Sequence, residues 1–104
     1  MKVVHCKKER YDVYIGRPSK WGNPFTVAEH GHGIAIAKYK TYVHEQLLNG
    51  VWTEDEMVRE LGGKTLGCWC HPKPCHGDVL KDIVNRIIFY KRLGMSYTKQ
   101  IREI

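Results

Sequence analysis

Three of the four cysteines lie in one stretch, Gly67-Cys68-Trp69-Cys70-His71-Pro72-Lys73-Pro74-Cys75-His76-Gly77-Asp78. Thiolates and imidazoles bind zinc, and a thiol of depressed pKa beside an imidazole also acts as a nucleophile with a proton carrier at hand. Two chemistries compete here. In one, Cys68, Cys70, Cys75 and His76 form a tetrahedral zinc site of the three-cysteine, one-histidine type. The spacing opposes it: an extended chain holds the sulfurs of Cys68 and Cys70 about 6–7 Å apart, whereas a shared zinc needs them within ~4 Å. In the other, Cys75, His76 and Asp78 stand at the start of a helix, where unsatisfied N–H groups and the helix dipole favour anions. That position lowers the Cys75 pKa, holds a phosphate and leaves His76 to move a proton, with Asp78 as a first-turn acid or a general base. Burial as small hydrophobes is the plain alternative for the thiols, and it suits Cys68 better than Cys75.

A second segment, Gly16-Arg17-Pro18-Ser19-Lys20-Trp21-Gly22-Asn23-Pro24-Phe25, combines cations, glycines and an aromatic ring. Gly16 lets backbone N–H groups approach a ligand, while Arg17 and Lys20 neutralise phosphate. Trp21 offers a face on which a base stacks, and Ser19 and Asn23 have the donors and acceptors to fix a ribose or phosphate. The competing explanation is a rigid surface loop in which Trp21 and Phe25 pack on the core and the cations face water.

These segments need elements to position them. Lys2–Cys6 and Asp12–Ile15 have strand character, with a polar turn at Lys7–Arg10 between them. The loop ends near Thr26, and His30–Gly33 is expected to be irregular. Ile36, Tyr39, Val43 and Leu47 recur at helical spacing and predict a helix over 34–48, stopped by Asn49-Gly50. Thr53 and Glu56 form a capping box opening a helix through Leu61, and Gly62-Gly63 ends it. Thr65–Cys70 is apolar enough for a central strand. Val79, Leu80, Ile83, Val84, Ile87 and Ile88 form the strongest helical stripe, from His76–Asp78 to about Leu93. Ser96 caps a last basic helix within 95–104. Strand alternation puts Cys68 and Cys70 on one face and Trp69 on the other. His5 and Cys6 join the site if the first strand lies beside Thr65–Cys70. His30, His32 and His44 are expected at the surface.

The expected fold is a single small α/β sandwich over 1–104 with its core in 2–93. Its sheet is a short three-stranded one, mostly parallel or mixed, with helices packed on it in a Rossmann-like manner. At 104 residues the chain is long enough for one core without metal or disulfide staples. The formal charge of +6 favours anionic partners: a nucleotide-like small molecule, or nucleic acid. No run is long and apolar enough for a membrane span, and Met1–Cys6 is too short for a signal peptide. The expected setting is the cytoplasm, with reduced thiols.

Val13 to Phe25 and Gly63 to Cys70, followed by Pro72 and Cys75-His76-Gly77-Asp78, resemble a family of small uncharacterised phage and microbial domains, described by GRPS- and GNPF-like motifs and without an assigned activity. The likeness spans most of residues 12–85. Tyr14-Ile15-Gly16 is also similar, by analogy alone, to the first strand of nucleoside-processing Rossmann-like domains. The tail from Leu93 is similar to the beginning of some helix-turn-helix modules, although the chain stops before a recognition helix.

Two functions follow as expectations. The first is binding, or processing, of a phosphate-bearing nucleotide or nucleotide-sugar between the 16–25 loop and the 67–78 strand-loop-helix. The second is a zinc-stabilised module that binds nucleic acid or a protein partner.

Overall fold

The computed structural model describes residues 1–103. Three strands form the sheet: β1 (Lys2–His5), β2 (Val13–Tyr14) and β3 (Thr65–Cys68). Their order is β1-β3-β2, and both outer strands run parallel to β3. The sheet is therefore wholly parallel. Lys2 faces Thr65 and His5 faces Cys68 in the register of the first pair; Val13 faces Leu66 in the second.

This order forces an unusual connection. β1 and β2 point the same way on opposite sides of β3, so the chain between them must return across the sheet. It turns after His5, whose carbonyl accepts from the N–H groups of Lys8 and Glu9. It then passes over the middle strand, reaching β2 where the Asp12 N–H meets the Thr65 carbonyl at 2.8 Å and the Asp12 carboxylate takes the Thr65 N–H at 2.8 Å. Gly67 makes this crossing possible, because a Cβ there would lie 2.6 Å from Cγ of Tyr11.

The helices are α1 (Val27–His30), α2 (His32–Leu48), α3 (Glu54–Leu61), α4 (His76–Arg92) and α5 (Tyr97–Arg102). The 30–33 region is less irregular than expected. Thr26 caps α1, and Gly31, at φ 78°, is the only break before α2 begins. Thr53 and Glu56 make the expected capping box of α3. β3 is shorter than expected and ends at Cys68. The apolar stripe of α4 (Leu80, Ile83, Val84, Ile87) packs with Val3, Ile15, Leu66 and Cys68 of the sheet region. Tyr39, Val43 and Leu47 of α2 and Met57 and Leu61 of α3 complete this core. Glu54 joins α3 to α5 by accepting from Ser96 Oγ, Thr98 Oγ1 and the Thr98 N–H. His44 is not a surface residue: it is half-buried and bonded through Nε2 to the Tyr97 hydroxyl at 2.9 Å. No helix is long and apolar enough to cross a membrane among the described residues.

Candidate functional site

β2 and β3 end side by side, and the two singled-out segments leave from those ends. They meet in a cleft of about 120 Å³. Gly16, Arg17, Asn23 and Phe25 come to it from the first segment; Trp69, Cys70, Cys75 and His76 come from the second. The start of α2 supplies His32, Ala35 and Ile36. Such a position, beyond the carboxyl ends of parallel strands and beside a helix start, is where open α/β sheets hold ligands.

A hydrogen-bond chain fixes the two loops to each other. The Trp69 indole N–H donates to the Tyr14 hydroxyl at 2.8 Å, and that hydroxyl donates to the Arg17 carbonyl at 3.3 Å. Gly16 is needed beside this ring, since a Cβ there would come 2.3 Å from the Tyr14 oxygen. On the opposite wall, Asn23 donates to the Ala35 carbonyl at 3.2 Å and accepts from the Phe25 N–H at 2.9 Å. His32 pairs with the Pro74 carbonyl at 2.5 Å. That histidine is a wall of the cleft rather than a solvent-facing side chain, and its partner lies too far along the chain for sequence spacing to reveal.

Several expected ligand groups are occupied elsewhere. Trp21 is 3% exposed, packed edge-on against Trp52 at 4.6 Å between centroids, and its carbonyl accepts from Tyr39 Oη at 2.6 Å. It serves the core, not the cleft. Lys20 turns to α3 and pairs with Glu56 and, at 2.9 Å, Glu60. Burial opposes the charge on Lys20, yet those two carboxylates outweigh it and raise its pKa. Ser19 closes a turn through its backbone, and its buried hydroxyl has no hydrogen-bond partner. Arg17 remains the charged residue of the cleft, exposed and outside every ion pair among the described residues. The lining contains no carboxylate. Trp69, 54% exposed, supplies the aromatic surface expected from Trp21.

The start of α4 is closed upon itself. Asp78 accepts from the Cys75 N–H at 3.0 Å, and Cys75 Sγ accepts from the Gly77 N–H at 3.3 Å. These are two of the donors that a bound phosphate would need, so Asp78 acts as the capping acid. His76 is buried, and its Nε2 lies 2.6 Å from the Ile15 carbonyl. A carbonyl partner requires a proton on Nε2, which leaves Nδ1 as the acceptor of a neutral ring. Burial, aided by Arg17, lowers the His76 pKa despite the opposing effects of the Ile15 carbonyl and Asp78.

Cys68 and Cys75 touch, with their sulfurs 3.0 Å apart. The Cys75 thiol hydrogen bond lowers the Cys68 pKa to about 6 against the opposing effect of burial. Cys75 moves the other way, raised by Cys68 and by burial. Cys70 lies at the cleft, half-buried. His5 and Cys6 do come alongside: the Cys6 N–H donates to the Cys68 carbonyl at 2.8 Å, and His5 meets the Trp69 ring edge-on. Among the described residues no three His, Cys, Asp or Glu side chains converge as a metal-ligand set. Cys68, Cys70, Cys75 and His76 are neighbours, but His76 points its Nε2 at a backbone carbonyl.

The fold and site together define a small α/β domain with a cation-bearing cleft at the ends of parallel strands. The chain belongs to the DUF4326 family, a domain of unknown function, whose model matches residues 2–86. It is similar to an uncharacterised 12.4 kDa protein of the nrdA-td intergenic region of Enterobacteria phage T4, at 37% identity over 83% of this chain and 79% of that one. It is also similar to an uncharacterised protein of Acanthamoeba polyphaga mimivirus, at 35% identity over 76% of this chain and 71% of that one. No solved structure matches it.

Proposed function

We propose that the cleft binds a phosphate-bearing nucleotide or nucleotide-sugar. The observation that carries this reading is the position of Arg17: an unpaired guanidinium in a carboxylate-free cleft, beside the exposed Trp69 ring. Guanidinium recognises phosphate by paired N–H donors, and an indole face takes a base by stacking. His76 contributes Nδ1 as an acceptor for a sugar hydroxyl. The enclosed volume holds only part of such a ligand, and the remainder lies over the open mouth.

Calorimetric titration with a panel of nucleoside mono- and diphosphates and nucleotide-sugars tests it. Arg17→Ala and Trp69→Ala should each weaken the best ligand by about tenfold or more, the scale of a lost charge-assisted or stacking contact. Binding unaffected by both substitutions, or no binding across the panel, would overturn the proposal.

A second reading has its own support. Lys7 sits over the Trp69 ring at 5.3 Å, and Lys8, Arg10 and Tyr11 are exposed on the same crossing segment. Cations interleaved with aromatic rings suit a single nucleic-acid strand. Affinity for a short oligonucleotide that falls steeply with salt, and exceeds that for any mononucleotide, would favour it.

A further inference from the structure

We propose that Cys68 and Cys75 form an oxidisable dithiol, closing to an intramolecular disulfide between the end of β3 and the first turn of α4. The inference does not depend on what the cleft binds. It rests on four observations of geometry. The two sulfurs are already in contact at 3.0 Å, so bond formation needs a displacement of about 1 Å to reach the ~2.05 Å of a disulfide. Both thiols are anchored: Cys68 is fully buried in the middle strand, and Cys75 caps α4. Tight packing keeps the Cys75 sulfur in place, since a Cβ on Gly77 would approach it to 3.2 Å. Cys75 also lines the cleft, which gives a small oxidant a path to the pair.

The chemistry balances with a peroxide as oxidant. The thiolate of one sulfur of the pair attacks one oxygen of a peroxide that enters through the cleft, an S–O bond forms, the O–O bond breaks, and the departing oxygen leaves as water after protonation. The second sulfur of the pair then attacks the oxidised one. The S–S bond forms, the S–O bond breaks, and the second thiol's proton leaves with the hydroxyl as a second water. Two electrons pass from the thiols to the peroxide. In the contacting pair the S–H of one cysteine donates to the other sulfur and stabilises its thiolate, and the donating thiol is the resolving group. Cys70, half-buried at the cleft, and Cys6, just past the end of β1, have no sulfur contact among the described residues and are expected to stay reduced.

The pair joins the sheet end to the helix that bears His76, so the cross-link fixes the cleft's back wall. Peptide mapping of the full chain tests the proposal. The protein is exposed to hydrogen peroxide at neutral pH, its remaining thiols are blocked with N-ethylmaleimide, and it is digested without reductant. The expected result is one cross-linked peptide pair joining Cys68 to Cys75, with Cys6 and Cys70 blocked, and full reversal by dithiothreitol. Cys70→Ser should leave that cross-link intact. Recovery of Cys68 and Cys75 as blocked thiols, or a cross-link that uses Cys70 and disappears in Cys70→Ser, would overturn the assignment. The mapping needs no substitution at either buried cysteine, so misfolding of such a variant cannot obscure the result.

Discussion

Trp21 and Trp69 occupy the two loops that wall the cleft, and the fold treats them in opposite ways. Trp21 lies beneath its loop, wedged against Trp52 with its carbonyl held by Tyr39. Trp69 stands above its loop, held by one hydrogen bond to Tyr14 and leaving half its ring in solvent. The 16–25 loop is organised from within the core, and most of its special residues are structural: Trp21 packs, Asn23 bridges, Lys20 bonds to α3. The 69–75 loop is organised from its edges and presents its aromatic residue outward. A loop's content of aromatic and charged residues therefore says little about binding until each side chain's partner is known.

The sharpest way to break this comparison is to truncate both rings. Trp21→Ala should cost about 3–5 kcal/mol, as expected for a core tryptophan, and Trp69→Ala below about 1 kcal/mol, both measured by urea unfolding. Equal costs would mean that the two loops are not organised differently. A smaller effect comes from the crossing segment that feeds the second loop's neighbours. Gly67→Ala places a methyl against the Tyr11 ring and should cost about 1–3 kcal/mol; a neutral substitution would show that the crossing chain shifts freely.

Acid should act next, through the wall that the loops share. The folded pKa of His76 lies below its ordinary value of 6.5, with burial the largest cause. The unfolded chain thus takes up a proton before the folded one does, so stability is complete above pH 6.5 and falls as pH drops from there toward the folded value. His44, depressed by burial and by Lys40, adds in the same direction. Melting temperatures at pH 7.5 and 5.5 should differ accordingly, and His76→Gln should reduce the difference; an unchanged slope would remove His76 from this role. The smallest effect is expected at Lys20. Its ion pairs with Glu56 and Glu60 are partly exposed and open to solvent screening, so Lys20→Ala should change stability by less than about 1 kcal/mol and leave ligand binding unaltered. A large loss of binding would return Lys20 to the site.

Features set by neighbours in sequence were legible before the fold was known. The Thr53–Glu56 capping box, the Ser96 cap and the apolar stripe of α4 need only residues three or four apart, and all are present. The two segments that wall the cleft were also legible, because their glycines, prolines and cysteines exclude regular structure. Partner choice was not. Trp21 finds Trp52, Lys20 finds α3, and His32 finds Pro74 only after the chain has folded. The end of β3 at Cys68 reflects the same limit: the apolar run continues, but β2 pairs with β3 only at Leu66 and Gly67.

The strand order has a further consequence for synthesis. β1 and β2 each pair with β3 alone, and Lys2 must wait for Thr65 to find its partner. While the chain emerges from the ribosome, its first two strands have no sheet to join until residues 65–68 are exposed. The amino-terminal half thus spends its early life as unpaired, partly apolar strands awaiting a template. Fragments ending before Thr65 should remain unstructured in their first fifteen residues, and β3 is the piece whose arrival commits the chain to its fold.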